Sequence, residues 1–335
     1  MSERFFSASD PSTSYMNRAD FVEVLEQIYN IRRCHALAQR DEETTGVPAF
    51  EVSSLLSGRK ITTMPFNYYP PLTGAGNNLV AMETLSGMAR ARGRGWFAEY
   101  KTFERLPTDY IESAGLIELV FSTVSELRLA DSYDEQRTYY KSRHRTKVNK
   151  ARRELSELDI DATTATVDLG QWYELLTRLY RDKHRMICQP FALYERFLQL
   201  ADGSLLLVAK HQGSVVGGLF ILRDGVRWDY CWGAMQPGYD RRDVATLLLD
   251  DAIRRAIEAE AKVFGFGSSA PSDKDLLFFK QRWGCEERPV YAYYWNHAPK
   301  PIDLNESFSF ARGVINKMPL SLLRLASKML VPHLV

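Results

Sequence analysis

The sequence predicts an α/β protein made of two tandem units, each a mixed sheet flanked by helices, joined by a basic connecting helix. Three observations carry this reading. The chain has 335 residues, long for one domain and comfortable for two, and 45% hydrophobic with 25% charged residues supports a sizeable core. Its second half alternates helical and strand patterns in a definite order: helices, three strands separated by tight turns, a long helix, a strand, a short helix and a strand. The first half repeats that order in coarser outline. The division that follows is a flexible lead-in at 1–17, a first unit at 18–130, a connecting helix at 131–158, a second unit at 159–300 and an amphipathic helical tail at 301–335.

In chain order, Phe21, Val24, Leu25, Ile28 and Ile31 recur at helical spacing. Residues 49–66 read as two strands around a Ser57-Gly58 turn, and Pro and Gly mark 65–76 as a loop. A helix over about 78–91 ends at Gly93-Arg94-Gly95, and aromatic and β-branched residues make strands of 96–100 and 116–123. Residues 133–157 lack Gly and Pro and read as one exposed helix. A strand at 160–167 precedes a helix from about Leu169 bearing Trp172, Leu176, Leu179 and Tyr180 on one face, then a short helix over 191–200. Strands at 204–210, 214–222 and 227–232 are separated by Gln212-Gly213 and Asp224-Gly225, both hairpin signals. The long helix over 241–261 buries Ala245, Leu248, Leu249, Ala252, Ile253 and Ala256. A strand at 262–266, a helix at 272–282, a strand at 289–295 and a helical tail broken at Pro319 complete the chain.

Composition excludes several classes. A net charge of +1 names no partner, so only local clusters can. Cys34, Cys188, Cys231 and Cys285 are scattered, with no C-x-x-C pair and no histidine at zinc spacing, which argues against a metal site and for thiols in a reducing compartment. The N-terminus lacks the pattern of a secretory signal, and no apolar run is long enough to span a membrane, so a cytoplasmic location is expected. No nucleotide-binding loop or nucleophile elbow occurs.

The strongest chemical signal is Phe264-Gly-Phe-Gly-Ser-Ser269 followed by Phe278-Phe-Lys-Gln-Arg-Trp-Gly284. Gly267, Ser268 and Ser269 at a strand end let backbone amides approach a ligand. Lys280 beyond them can neutralise a phosphate or a developing oxyanion, with Phe278 and Phe279 anchoring its helix. The plainer alternative makes the aromatics core and Lys280 solvent-facing. A side chain that reaches the surface adds little stability, so Lys280→Ala is expected to leave the melting temperature nearly unchanged. Asp229 and Tyr230, near the end of the three-strand meander, are candidate proton-handling groups, and Trp232 beside them a candidate substrate contact.

The order of the second half is that of a GNAT acyltransferase domain. The Phe264–Ser269 and Phe278–Gly284 stretches resemble the F-G-R-S…F-K-x-x-W-G pattern of FemAB-like proteins. Residues 54–69, with Met64-Pro65-Phe66 leading into Tyr68 and Tyr69, resemble that family's first-domain hairpin. Residues 140–153 resemble its basic helix, and Ile315–Leu320 resembles the end of the subgroup found with exopolysaccharide genes. The resemblance runs from about residue 20 to 335. It implies two tandem GNAT-fold domains without a covalent enzyme intermediate, with Phe279 and Lys280 where tRNA-dependent members use a Phe-Lys pair to hold the aminoacyl end. It also implies substrate contacts from Tyr68, Tyr69 and the Gly267–Ser269 stretch. Two positions depart from the family's pattern: Ser269 stands where the family has Arg followed by Ser, and Tyr68-Tyr69-Pro70-Pro71 replaces a Tyr-Gly-Gly loop.

Two donors stay open, aminoacyl-tRNA and acyl-CoA, and no tightly bound cofactor is expected. Gln236 to Ala245 lacks the spaced glycines of a pyrophosphate-binding turn, and a capping carboxylate from Asp240 or Asp243 would occupy the helix amides that a pyrophosphate needs. Between Tyr139 and Arg153 seven cations, including Arg143, Arg145, Lys147 and Lys150, run without an acid. Such a strip suits RNA phosphates or an anionic lipid-linked sugar, or is simply a solvated face. Lys317, Ser321, Arg324 and Lys328 share a face of the tail, which either contacts a membrane peripherally or docks on its own domain. The expected reaction moves an acyl or aminoacyl group onto an amine or hydroxyl of a sugar-containing or lipid-linked cell-envelope or exopolysaccharide precursor. The alternatives are coenzyme A-dependent N-acetylation of a small metabolite and a non-catalytic double-GNAT binding module in a polysaccharide assembly.

Overall fold

A computed structural model describes residues 18–40, 43–54, 58–63, 75–239, 243–297 and 313–333, with side chains omitted over 35–48 and 75–77. Tyr68 and Tyr69 lie outside the described residues. The strands are β1 (Ile31–Arg40), β2 (Glu43–Ser54), β3 (Gly58–Thr62), β4 (Trp96–Thr102), β5 (Ile117–Arg128), β6 (Asp159–Thr163), β7 (Ser204–His211), β8 (Ser214–Arg223), β9 (Arg227–Met235), β10 (Val263–Ser269) and β11 (Glu286–Trp295). They form one 11-stranded mixed sheet in the order β1-β2-β3-β4-β11-β5-β10-β9-β8-β7-β6. The halves therefore do not close separate sheets, as the sequence reading expected. First-half strand β5 is antiparallel to both β10 and β11, and β11, from the end of the second unit, sits between β4 and β5. Pairing over such separations leaves no local trace in the chain.

The helices are α1 (Ala19–Ile28), α2 (Ala75–Arg92), α3 (Thr108–Ser113), α4 (Tyr133–Tyr139), α5 (Ser142–Glu154), α6 (Thr166–Leu179), α7 (Phe191–Gln199), α8 (Val244–Glu258), α9 (Lys274–Gln281) and α10 (Leu320–Leu330). The helical period predicted through Ile31 stops at Ile28, because Ile31 begins β1, whose full length pairs with β2. Both meander turns form as read: Gln212 and Gly213 both have positive φ, 51° and 78°, the backbone of a type I′ hairpin, and Gly225 has φ 70°.

The connecting segment is two helices, α4 and α5, broken at Tyr140-Lys141, and it is not a free linker. Asp250, fully buried on α8, accepts from the Tyr133 hydroxyl at 2.7 Å, the Tyr140 hydroxyl at 3.3 Å and Arg152 Nε at 2.7 Å. These bonds satisfy a carboxylate that would be costly to bury alone, and they fix the basic helix against the second half. Val148, Ala151 and Leu155 share a core with Leu248, Ile253, Phe264 and Trp283. On the opposite side, α1 joins α6 and α7 around Trp172, Tyr194 and Phe220, with Phe21 stacked on Phe197 at 4.4 Å. The tail docks on this second core: Leu323 is buried, Ser327 Oγ donates to Cys188 O at 2.7 Å, and Arg324 lies 3.6 Å from Glu174. Leu322, Leu325, Met329 and Leu330 remain exposed on α10. Among the described residues no helix is long and apolar enough to cross a membrane.

Candidate active site

β9 and β10 are parallel partners only over Arg227–Asp229 and Val263–Gly265. Beyond these residues each strand turns to another neighbour. β9 bulges at Cys231 while it stays on β8, and β10 bulges between Gly265 and Ser268 while it stays on β5. Parallel strands that part leave backbone groups facing one another without a ladder, and bulges re-aim the residues beside them. Gly267, with φ 70°, sits in the β10 bulge in a conformation that favours glycine. A Cβ at this position would stand 3.6 Å from Tyr230 O, so the two strands still approach closely at the mouth of the split.

Lys280 reaches this point from α9. Its Nζ donates to Gly267 O and to Ser269 Oγ, each at 2.8 Å. The side chain is buried, at 3% exposure, not solvent-facing, which overturns the expectation that removing it is nearly neutral for stability. Burial lowers its ammonium to about 8. Two of its three N–H donors are occupied by the bulged strand, and the third has no acceptor among the described residues. The strand therefore aims the cation and leaves one donor for a ligand. The aromatics divide unequally: Phe279 is half-buried and edge-on to Trp283, whereas Phe278 is exposed, carrying Arg282 over its ring at 4.5 Å. Trp283, fully buried against Tyr140, His144 and Phe266, is the real anchor of α9.

The other sequence candidates separate. Tyr230 borders the split through its carbonyl oxygen, while its phenol, pushed up to about 12 by burial, lies over Gly233, where a Cβ would overlap the hydroxyl. Asp229 is fully buried and held by both nitrogens of a fork from Arg227, Nε at 2.8 Å and Nη2 at 2.9 Å, and Arg227 also reaches Glu126 at 2.7 Å. A carboxylate held in a bidentate ion pair is stabilised in its charged form and is a weak proton acceptor, so this geometry makes Asp229 a strut of β9. Trp232 is a core residue, edge-on to Tyr194 at 5.2 Å and to Phe220. Its placement follows from the Cys231 bulge, which turns it away from the split.

Of the four cations singled out on α5, Lys147 pairs with Asp243 at 2.7 Å and Lys150 lies 3.8 Å from Glu154, while Arg143 is exposed and Arg145 half-buried. Asp243 occupies the N-cap of α8 with φ 64°, and its side chain makes no capping bond. The carboxylate goes to Lys147 instead. The sequence argument that a cap at this residue withholds the α8 amides from a pyrophosphate therefore does not hold for Asp243. His144 escaped sequence reasoning as a structural feature. It is buried on α5, 4.3 Å from the Trp283 ring, with neither ring nitrogen hydrogen-bonded among the described residues, and burial holds it down at about 4.

Residues 142–275 match the family model described as Acetyltransferase (GNAT) domain. The fold is GNAT-like. The structure of FemX superposes with a TM-score of 0.62 at 11% identity, covering 87% of this chain and 97% of that one. The C-terminal domain of a putative lysylphosphatidylglycerol synthetase from Agrobacterium fabrum gives 0.56 at 12%, covering 87% and 93%. The L-PGS of Bacillus licheniformis gives 0.56 at 10%, covering 91% and 99%. No curated protein sequence matches the chain. In the GNAT-like half the split between β9 and β10 lies inside the matched residues, and Lys280 lies just beyond them.

Proposed function

We propose that the chain is an acyl- or aminoacyltransferase of FemAB-like type that acts on an amine or hydroxyl of a cell-envelope or exopolysaccharide precursor. The observation that carries this reading is Lys280, a buried ammonium fixed by a strand bulge at the mouth of the β9/β10 split with one donor unspent. Acyl transfer builds negative charge on the donor carbonyl oxygen and then on the leaving oxygen or sulfur, and a preorganised cation stabilises both. The acceptor nucleophile forms the new bond to the carbonyl carbon, the bond to the ribose oxygen or thiol breaks, and the acceptor's proton leaves with the departing group. No residue of the protein becomes acylated, and alignment does the rest. Phe279 helps hold the lysine's helix, and Gly267, Ser268, Ser269 and Tyr230 form the walls. That one of the similar structures is named as a putative lysylphosphatidylglycerol synthetase, an enzyme name that denotes an aminoacylated lipid, supports an aminoacyl donor. The α8 N-terminus, with no side-chain cap from Asp243, keeps acyl-CoA in contention. The exposed apolar face of α10, flanked by Lys317 and Lys328, is the surface for peripheral membrane contact.

Pure protein incubated with radiolabelled aminoacyl-tRNA pools and, separately, with acetyl-CoA is expected to bind or consume one donor. Binding of neither would overturn the enzymatic reading in favour of a non-catalytic module. The cationic helix gives a second test. Changing Arg143, Arg145, Lys147 and Lys150 to Ala is expected to weaken tRNA binding and flatten its salt dependence. Because Lys147 and Lys150 already face carboxylates, most of the loss should appear in the Arg143/Arg145 double variant. An unchanged salt slope in the quadruple variant makes the helix a solvated face.

A further inference from the structure

A second charged cluster lies in the first half, in a place that the acyl-transfer chemistry does not use. Lys60 on β3 and Lys101 on β4 both point at Glu99: Lys60 Nζ lies 2.7 Å from Oε2 and Lys101 Nζ 2.8 Å from Oε1. All three are buried, with side-chain exposures of 11% for Lys60, 5% for Glu99 and 3% for Lys101. Among the described residues no other acid pairs with either lysine, and the Phe121 ring lies 4.3 Å from Lys101 Nζ. Two ammoniums on one carboxylate leave one positive charge uncompensated in a desolvated site, an arrangement that costs far more than a paired ion unless an anion completes it. Burial already pulls Lys101 below its ordinary range.

The cluster faces away from α2. Ala98, Tyr100 and Tyr293 pack on the α2 side, whereas Glu99 and Lys101 share the other face with Phe97, Ala292 and Tyr294. Across the sheet, Lys101 is level with Ala292 and Leu119, and Glu99 with Tyr294 and Ile117. Leu119 and Ile117 are 39% and 40% exposed. An apolar shelf open to solvent thus runs beside the buried cations, with Ala292 and the Phe121 ring next to Lys101.

We infer that Lys60 and Lys101, held by Glu99, form a binding site for the phosphate or carboxylate group of a ligand whose less polar part lies along Leu119 and Ile117. The inference does not depend on the acyl donor or on Lys280. It gives the first half a recognition role of its own, and an anionic acceptor is the class of molecule it fits. Two lysines around a single carboxylate are also a better receptor than either alone, because Glu99 fixes both ammoniums before the ligand arrives.

The test is thermal unfolding of the full chain in inorganic phosphate, in pyrophosphate and in citrate, each against sodium chloride at the same ionic strength. The wild type is expected to gain at least about 2 °C at saturation in one of these anions, and phosphate against citrate tells which oxyanion the site takes. Lys101→Met should lose that gain. Without the anion it should melt no lower than the wild type, because it removes the uncompensated charge while Lys60 keeps its pair. Lys280→Met should keep the gain, which separates this site from the other. Equal melting in all anions, an equal gain in Lys101→Met, or a Lys101→Met protein that melts well below the wild type in chloride would each overturn the proposal.

Discussion

Lys280→Ala is expected to lower turnover about a hundredfold, the loss that follows when about 3 kcal/mol of charge stabilisation is withdrawn from an acyl-transfer transition state. The expectation rests on the two 2.8 Å bonds that lock Nζ to Gly267 O and Ser269 Oγ, since a cation already fixed in place needs no reorganisation during the reaction. Those bonds also make the residue structural, so the variant should unfold more easily by about 1 kcal/mol. Activity separates the two roles through pH. The ammonium titrates near 8 in the folded protein, so the wild-type rate should fall as pH rises through 8, and the residual rate of the alanine variant should not follow that limb. Stability runs in the opposite direction. The unfolded chain holds the Lys280 proton up to its ordinary value of 10.5, so between 8 and 10.5 the unfolded state binds more protons and this group makes the folded wild type more stable with rising pH. Lys280→Met lacks that gain. Phe279→Ala, half-buried beside Trp283, should cost about 2 kcal/mol and lower activity only through the position of α9. Full activity in Lys280→Ala, or a pH–rate limb that survives the substitution, would sink the assignment.

The second large effect is acid sensitivity set by His144. Its folded-state value of about 4 lies below the ordinary 6.5, so between pH 6.5 and 4 the unfolded chain binds a proton that the folded chain refuses. Stability contributed by the neutral imidazole is complete above 6.5 and is lost as pH falls to 4, about 3 kcal/mol in all at 1.36 kcal/mol per unit. His144→Leu removes the titration and two buried nitrogens that have no hydrogen-bond partner among the described residues. It should be at least as stable as the wild type at neutral pH and more stable by about 3 kcal/mol at pH 4, measured by chemical unfolding across the range. Parallel losses in both proteins between pH 6.5 and 4 would mean that other groups carry the acid response.

Local chemistry in the chain was enough for much of this. Gln212-Gly213 needs two positive φ values and took them, and Ala252, Ile253 and Ala256 spaced as a helical stripe lie against the sheet as their period required. Lys280 was legible because a glycine-containing strand end and an aromatic-led helix flank it within a few residues. Asp229 was a candidate proton-handling group in the sequence. Its partner Arg227 lies only two residues away, but whether side chains two apart on a strand meet depends on Glu126 of β5 and on the bulge that follows, and β5 is more than a hundred residues distant.

The helices and three-strand meander of the second half, their GNAT-like order and the cations of α5 were legible in the chain, because periodicity, turn chemistry and charge are properties of neighbouring residues, whereas β1, α3 and the break between α4 and α5 were not read from it. Long-range packing set the rest: β5 and β11 interleave the halves into one sheet, Asp250 pins the basic helix, Lys280 is buried with one donor left, and Lys60, Glu99 and Lys101 share a desolvated face. Most of these depend on residues from about ten to more than a hundred and sixty positions apart. Burial, which sets whether a lysine is a solvated tether or an uncompensated charge, exists only once those residues have been brought together.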